Sequence, residues 1–231
     1  MNSQKLIKLG VSRCLMGERV RYDGATKYSD VCHKELASQF SLVSVCPEVE
    51  AGCSVPRPPV ELIKFDREVR AVGRDNRAID VTEKLNVFIR QKLPTLKTLD
   101  GFVLTTRSPS CGFESVTVRS SEGQVIELNS SGLFARALVK DFPNMPVIEE
   151  VSLQETHELR VYQVRVMVYH LYRTSRAFYL DRLWNTLLQK NESKGVMEEG
   201  RGIYFINNRL KQLEFQQLDR LFKTLRGLIN E

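Results

Sequence analysis

Four short aliphatic runs, residues 6–12, 42–45, 102–105 and 146–148, alternate with amphipathic stretches over the first 150 residues. Each run is too short for a helix and reads as a buried strand. The stretches between them carry helix-start signals. Ser29-Asp30 opens one that reaches about Phe40. Asp80 or Thr82 opens another to about Leu93, with Val81, Leu85, Phe88, Ile89 and Leu93 on one face. Ser130 or Ser131 opens a third over 132–142. Such alternation commits the chain to an α/β class with a mostly parallel, open sheet of the Rossmann or flavodoxin-like kind. Residues 60–65 and 69–72 read as a β-ribbon, and 116–119 with 124–128 as a hairpin around Glu122-Gly123.

From about residue 151 strand signals cease, and no proline follows Pro146. Thr156 can cap a helix reaching about Lys190, with Val161, Val164, Val168 and Leu171 on one face. A polar linker spans 192–202. Residues 209–229 place Phe215, Leu218, Phe222, Leu225 and Ile229 at helical spacing. The expected organisation is a domain over 1–150 and a basic helical extension over 151–231. Of the net charge of +6, the extension carries +4. It interleaves bases and rings at Arg160, Tyr162, Arg165, Tyr169, His170, Tyr172, Arg173, Arg176, Tyr179 and Arg182. Arginines neutralise phosphates and rings stack on bases, which suits RNA; tyrosines three or four apart on a helix also make a packing face.

Five cysteines, an odd number at irregular spacing, read as reduced thiols rather than a disulfide framework. The first ten residues lack the apolar core of a signal peptide, and no run approaches a membrane span. The expected setting is the cytoplasm. His33, His157 and His170 show no metal spacing, and neither a phosphate loop nor a dinucleotide fingerprint occurs.

Three of the cysteines occupy the same place in the pattern. Cys14 follows the first strand, Cys46 ends the second, and Cys111 follows the strand at 102–105. In an open parallel sheet the carboxyl ends share one edge, and ligands bind there. Soft sulfur suits zinc or an iron–sulfur cluster, and three ligands without a fourth leave a position open for chemistry. Glu48 stands two residues past Cys46, and Ser108 three before Cys111. A carboxylate and a hydroxyl beside such a site can activate water and move a proton. Pro109 bars a continuing strand, and Gly112 permits positive φ or a close approach.

Five segments in this order, Ser12-Arg13-Cys14-Leu15-Met16-Gly17, Arg21-Tyr22-Asp23-Gly24, Cys46-Pro47-Glu48-Val49, Pro56-Arg57-Pro58-Pro59 and Ser108-Pro109-Ser110-Cys111-Gly112, resemble the bacterial thiouracil desulfidase (TudS-like) family. The resemblance covers about residues 1–150. It implies a [4Fe–4S] cluster held by Cys14, Cys46 and Cys111, with Glu48 and Ser108 as the catalytic pair. It further implies a hydrolytic, non-redox exchange of thiocarbonyl sulfur for oxygen on a thiolated uracil, as free base, nucleoside or thiouridine in tRNA. Ser12, Asp23, Arg57 and Ser110, from the same segments, are candidates for substrate contact. Cys53 competes with Cys46 as a ligand, and the Cys-Pro-Glu segment favours Cys46; Cys32 reads as a bystander. Some members carry a second domain associated with tRNA, whose pattern is not evident in 151–231. The alternative is an RNA-binding protein in which the same cysteines hold a structural or redox-sensing centre.

Overall fold

The computed structural model describes residues 6–174, 208 and 210–230. The first strand, β1 (Lys8–Ser12), leads through a 3₁₀ turn (Arg13–Met16) to a π-helical stretch (Val31–Leu36) that continues as α1 (Ala37–Gln39). Then come β2 (Ser41–Val45), α2 (Pro47–Glu50), the hairpin β3 (Val60–Phe65) and β4 (Glu68–Gly73), and α3 (Thr82–Leu96). The chain returns through β5 (Gly101–Leu104), a second hairpin of β6 (Val116–Arg119) and β7 (Val125–Ser130), α4 (Leu133–Asp141) and β8 (Val147–Glu149). Two further helices follow, α5 (Thr156–Arg173) and α6 (Phe215–Asn230).

All of β1 beyond Lys8, and all of β5, is buried. Strands covered on both faces belong at the middle of a parallel sheet, and the order is β2-β1-β5-β8 with every pair parallel. The chain leaves β1 for β2 on one side and later enters β5 on the other. At such a reversal the loops leaving the carboxyl ends part and open a crevice. The loops after β1 and β5 therefore flank it, and the loop after β2 stands beside it.

Alternation along the central strands feeds two cores. Phe102 and Leu104 pack with Leu85, Phe88 and Ile89 of α3 and Phe134 and Leu138 of α4. Leu9, Val11 and Val103 face the other way, toward Leu36, Phe40 and the α5 residues Tyr162 and Val166. A Cβ at Gly101 would lie 2.9 Å from both Tyr162 Oη and Val166 Cγ2, so the missing side chain lets α5 rest on the strand itself. Leu218, Leu221, Phe222 and Leu225 of α6 close over α5. Full burial of an aliphatic side chain stabilises by about 1.5–3 kcal/mol, so α5 is a cover of the sheet rather than a loosely appended helix. The expected α5 face, Val161, Val164, Val168 and Leu171, is buried, but so are Tyr162, Val166 and Met167. With the sheet on one side and α6 on another, the helix is buried almost all round.

Several elements depart from the sequence expectation. The ribbon and the hairpin join through parallel β3–β6 pairing into a second four-stranded sheet, β4-β3-β6-β7. That pairing is non-local, and no local signal announces it. Helix α3 runs past Pro94 to Leu96; the proline removes one rung of the ladder, and the helix ends two residues later. The first helix begins π-helical rather than α-helical. Residues 47–50, expected partly as loop, form α2. The expected helix beyond residue 174, the linker at 192–202 and the start at Arg209 lie outside the described residues. Among the described residues no helix is long and apolar enough to cross a membrane.

Candidate active site

The loop after β1 is a 3₁₀ turn closed by Gly17, which takes φ +82°. The Cys14 carbonyl accepts both Gly17 N–H at 3.2 Å and Lys27 N–H at 3.0 Å, tying the turn to the segment that follows. The Lys27 ammonium pairs with the buried Glu150 carboxylate, and Glu150 Oε2 accepts the Thr106 N–H at 2.8 Å. The loops after β1, β5 and β8 are thus cross-linked around Cys14.

The loop after β2 becomes α2. Cys46 precedes it in extended conformation, with Pro47 in the first turn. Proline suits that place, where its missing N–H is not needed. Glu50 reaches back to accept the Cys46 N–H at 3.0 Å, and it also pairs with Arg13 at 2.7 Å and Lys92 at 2.9 Å.

The loop after β5 is built on the start of α4. The first turn of a helix leaves its N–H groups without internal partners. Here Leu133 N–H donates to Pro109 O at 3.0 Å, and Phe134 and Ala135 N–H donate to Ser110 O at 3.0 and 3.2 Å. Gly132 allows this approach, since a Cβ there would sit 2.4 Å from the Ser110 carbonyl carbon. Gly112 serves close packing rather than positive φ: its Cβ would meet Val116 Cγ2 at 2.5 Å. Positive φ falls instead on Arg107, at +58°. Ser108 Oγ accepts the N–H of Cys111 at 3.0 Å and of Ser110 at 3.3 Å. With both lone pairs engaged, its hydroxyl proton is free to donate.

Cys14, Cys46 and Cys111 line one cavity of about 780 Å³, together with Glu48, Arg57 and Ser108. Strands β3 and β6 form its opposite wall through Glu61, Leu62, Val116 and Arg119, and Arg21, Arg74 and Arg107 also border it. All five cysteines are free thiols. Burial pushes the Cys14 thiol up to about 11, with the Thr105 hydroxyl pulling it down and Cys46 raising it. Burial also raises Cys46, partly offset by the Val49 N–H. Cys111 is raised as well, first by burial, then by Cys46, with the Ser12 hydroxyl opposing and Cys14 adding. Cys46 raises Cys14, and both raise Cys111, so three thiolates together call for positive charge between them. A metal group supplies that charge. Among the described residues no three His, Cys, Asp or Glu side chains close on a single ion. Three thiols on one cavity are a soft donor set of the kind that fits an iron–sulfur cluster.

Glu48 is held from two sides. Its Oε2 accepts Arg57 Nε–H at 2.7 Å and Nη2–H at 2.6 Å, and its Oε1 accepts the Ser110 hydroxyl at 2.8 Å. Ser12 Oγ accepts the Thr105 N–H at 3.1 Å, joining β1 to the end of β5. Of the four residues expected to contact substrate, Ser12 and Arg57 line the cavity. Ser110 is fully buried behind it. Asp23 folds its own turn, accepting the Ala25 N–H at 3.0 Å and pairing with Arg21 at 3.2 Å. Cys53 donates its N–H to Glu48 O, and its side chain is not part of the cavity lining; Cys32 is buried in the core. Lys27, Glu50 and the arginines of the opposite wall carry no sequence expectation. Glu50 directly follows the Cys-Pro-Glu-Val segment, and Lys27 stands three residues past the Arg-Tyr-Asp-Gly segment.

The chain is also similar to known proteins. The chain is 31% identical over 156 residues to the uncharacterized protein YbbK of Bacillus subtilis (strain 168), an alignment that takes in 63% of this chain and 97% of that protein. It is also similar to the solved structure of a [4Fe-4S]-dependent thiouracil desulfidase, TudS, at 28% identity and TM-score 0.51, covering 64% of this chain and 93% of that one. Residues 9–150, which contain all three cysteine loops, match the 2-thiouracil desulfurase family, and the chain belongs to that family.

Proposed function

We propose that the chain is a [4Fe–4S]-dependent desulfidase that replaces the thiocarbonyl sulfur of a thiolated uracil with oxygen and releases sulfide. One observation carries this reading: three thiols, a carboxylate and a donor hydroxyl from three separate strand ends share one cavity. Family membership and the TudS likeness support it. Cys14, Cys46 and Cys111 hold the cluster, and when bound it supplies a Lewis-acidic iron with an open position for sulfur. Glu48 accepts a proton from the water that attacks the thiocarbonyl carbon. Ser108, its lone pairs filled by Ser110 and Cys111 N–H, donates its hydroxyl proton toward the reacting centre. The exchange of C=S and water for C=O and hydrogen sulfide balances without electrons, so it is hydrolytic and non-redox.

A cavity of this volume with Arg21, Arg74 and Arg107 at its border favours a substrate larger and more anionic than the free base. The other reading, RNA held by the rings and bases of the extension, finds less support. Tyr162 and Tyr169 are buried, and the Arg160 guanidinium lies over the Phe222 ring at 4.2 Å. Arg176, Tyr179 and Arg182 lie outside the described residues. The test is sulfide release by anaerobically reconstituted protein from 2-thiouracil, 4-thiouracil, 4-thiouridine and thiolated tRNA. Sulfide from at least one is expected; none from any, with iron and sulfide fully loaded, overturns the reading.

A further inference from the structure

Arg57 was expected to touch substrate, but its donors are already committed. A guanidinium has five N–H groups. Nε and Nη2 hold Glu48 Oε2, and Nη1 donates to Val20 O at 3.0 Å and Ser54 O at 3.2 Å. The Arg57 backbone N–H donates to Tyr22 O at 2.8 Å. The side chain is only 10% exposed. Arg57 therefore ties the 20–24 segment and the 54–57 segment to one carboxylate, with little left to offer a ligand.

The lone pairs of Glu48 follow from the same contacts. An ionised carboxylate has about four acceptor sites, two on each oxygen. Both sites on Oε2 are filled by Arg57, and one on Oε1 is filled by Ser110. Among the described residues one acceptor site remains without a partner, on Oε1. Ser110 lies behind the cavity and Glu48 on its wall.

We propose that Arg57 and Ser110 are positioning residues that orient the Glu48 carboxylate and leave a single Oε1 lone pair to take the proton. The inference rests on the desulfidase reading of the site. It also explains why the Arg-Tyr-Asp-Gly and Pro-Arg-Pro-Pro segments belong with the cysteine loops. They build the clamp on the base, whereas the cysteine loops build the metal site. A base displaced by about 1 Å loses on the order of 100-fold in rate. The charge of Arg57 alone cannot replace its geometry, because lysine is a single point donor.

Holoenzyme variants Arg57→Lys, Arg57→Ala and Ser110→Ala are compared with wild type on whichever thiolated substrate the wild type turns over. The expected result for Arg57→Lys is a fall in kcat of about 10–100-fold, with KM within about threefold and iron content and visible absorbance unchanged. Ser110→Ala loses about tenfold in kcat. Millimolar guanidinium restores part of the Arg57→Ala loss, since that side chain borders the open cavity. Independently of turnover, the Glu48 carboxylate stretch, assigned by its loss in Glu48→Gln, shifts in both Arg57→Lys and Ser110→Ala infrared spectra. A rise in KM at constant kcat makes Arg57 a substrate contact and overturns the proposal. So does an unmoved carboxylate band. If wild-type holoenzyme releases no sulfide, the desulfidase reading falls, and the clamp is judged on the infrared band alone.

Discussion

Two arginine–carboxylate pairs stand at opposite edges of the same parallel sheet. At the carboxyl ends, Glu48 meets Arg57. At the amino ends, Asp100 meets Arg173 of α5, with Nε at 2.9 Å and Nη2 at 2.8 Å from Oδ1. The chemistry of the two pairs is alike, but their surroundings differ. Asp100 is fully buried; its Oδ2 accepts the Lys8 N–H at 2.9 Å, and His170 Nδ1 lies 3.1 Å from Oδ1. These contacts fasten α5 to the start of β1 inside the core. Glu48 has a place on the cavity wall, which Asp100 lacks. An ion pair sealed in the core is structural, and one that stands beside a space for ligand is available for chemistry.

The comparison can be broken at several points. The largest effects belong to the thiols at the catalytic edge. Alanine at Cys14, Cys46 or Cys111 should abolish sulfide release and deplete bound iron, read by elemental analysis after anaerobic reconstitution. Glu48→Gln should lower kcat by roughly 10²–10⁴-fold while leaving iron content unchanged. At the other edge the pattern should invert. Asp100→Ala strands Arg173 and should destabilise the fold by about 3–5 kcal/mol, seen in denaturant unfolding, with turnover per folded molecule retained below the transition. Gly101→Ala, which drives a methyl into Tyr162 and Val166, should cost about 1–3 kcal/mol and again spare turnover. The smallest effect is expected at Cys53. Its alanine variant should load iron like wild type, because its side chain is not part of the cavity lining. Iron loss there would move the ligand assignment from Cys46. Loss of kcat in Asp100→Ala without loss of stability would erase the division between the two edges.

Legibility from the sequence followed the range of the interactions. Strand positions came from local apolar runs, and the parallel order placed Cys14, Cys46 and Cys111 at strand ends on one edge. Glu48 and Ser108 were found because each shares a short loop with a cysteine. Arg57 was placed in the site without its partner Glu48. Its partner stands nine residues away across a proline-rich turn, and only the closure of that turn on Glu48 shows where the guanidinium points. Ser110 shares a motif with Ser108, yet one hydroxyl borders the cavity and the other lies behind it. Adjacent loop residues point differently once the loop is seated on α4. The union of two hairpins into the second sheet depends on β3–β6 pairing across more than fifty residues, which local periodicity does not encode.

By itself the sequence determined the α/β class, the strand–loop positions of three thiols and the family of the chain. Those depend on residue type and spacing within short windows, where sterics and apolar periodicity act locally. Only the tertiary structure decided which charge meets which. Glu48 takes Arg57 and Ser110, Asp100 takes Arg173, and the tyrosines of α5 turn inward to the sheet. Such partners are chosen by sheet order and helix packing. Hydrogen bonds and ion pairs act over a few ångströms in space and carry no record of distance along the chain.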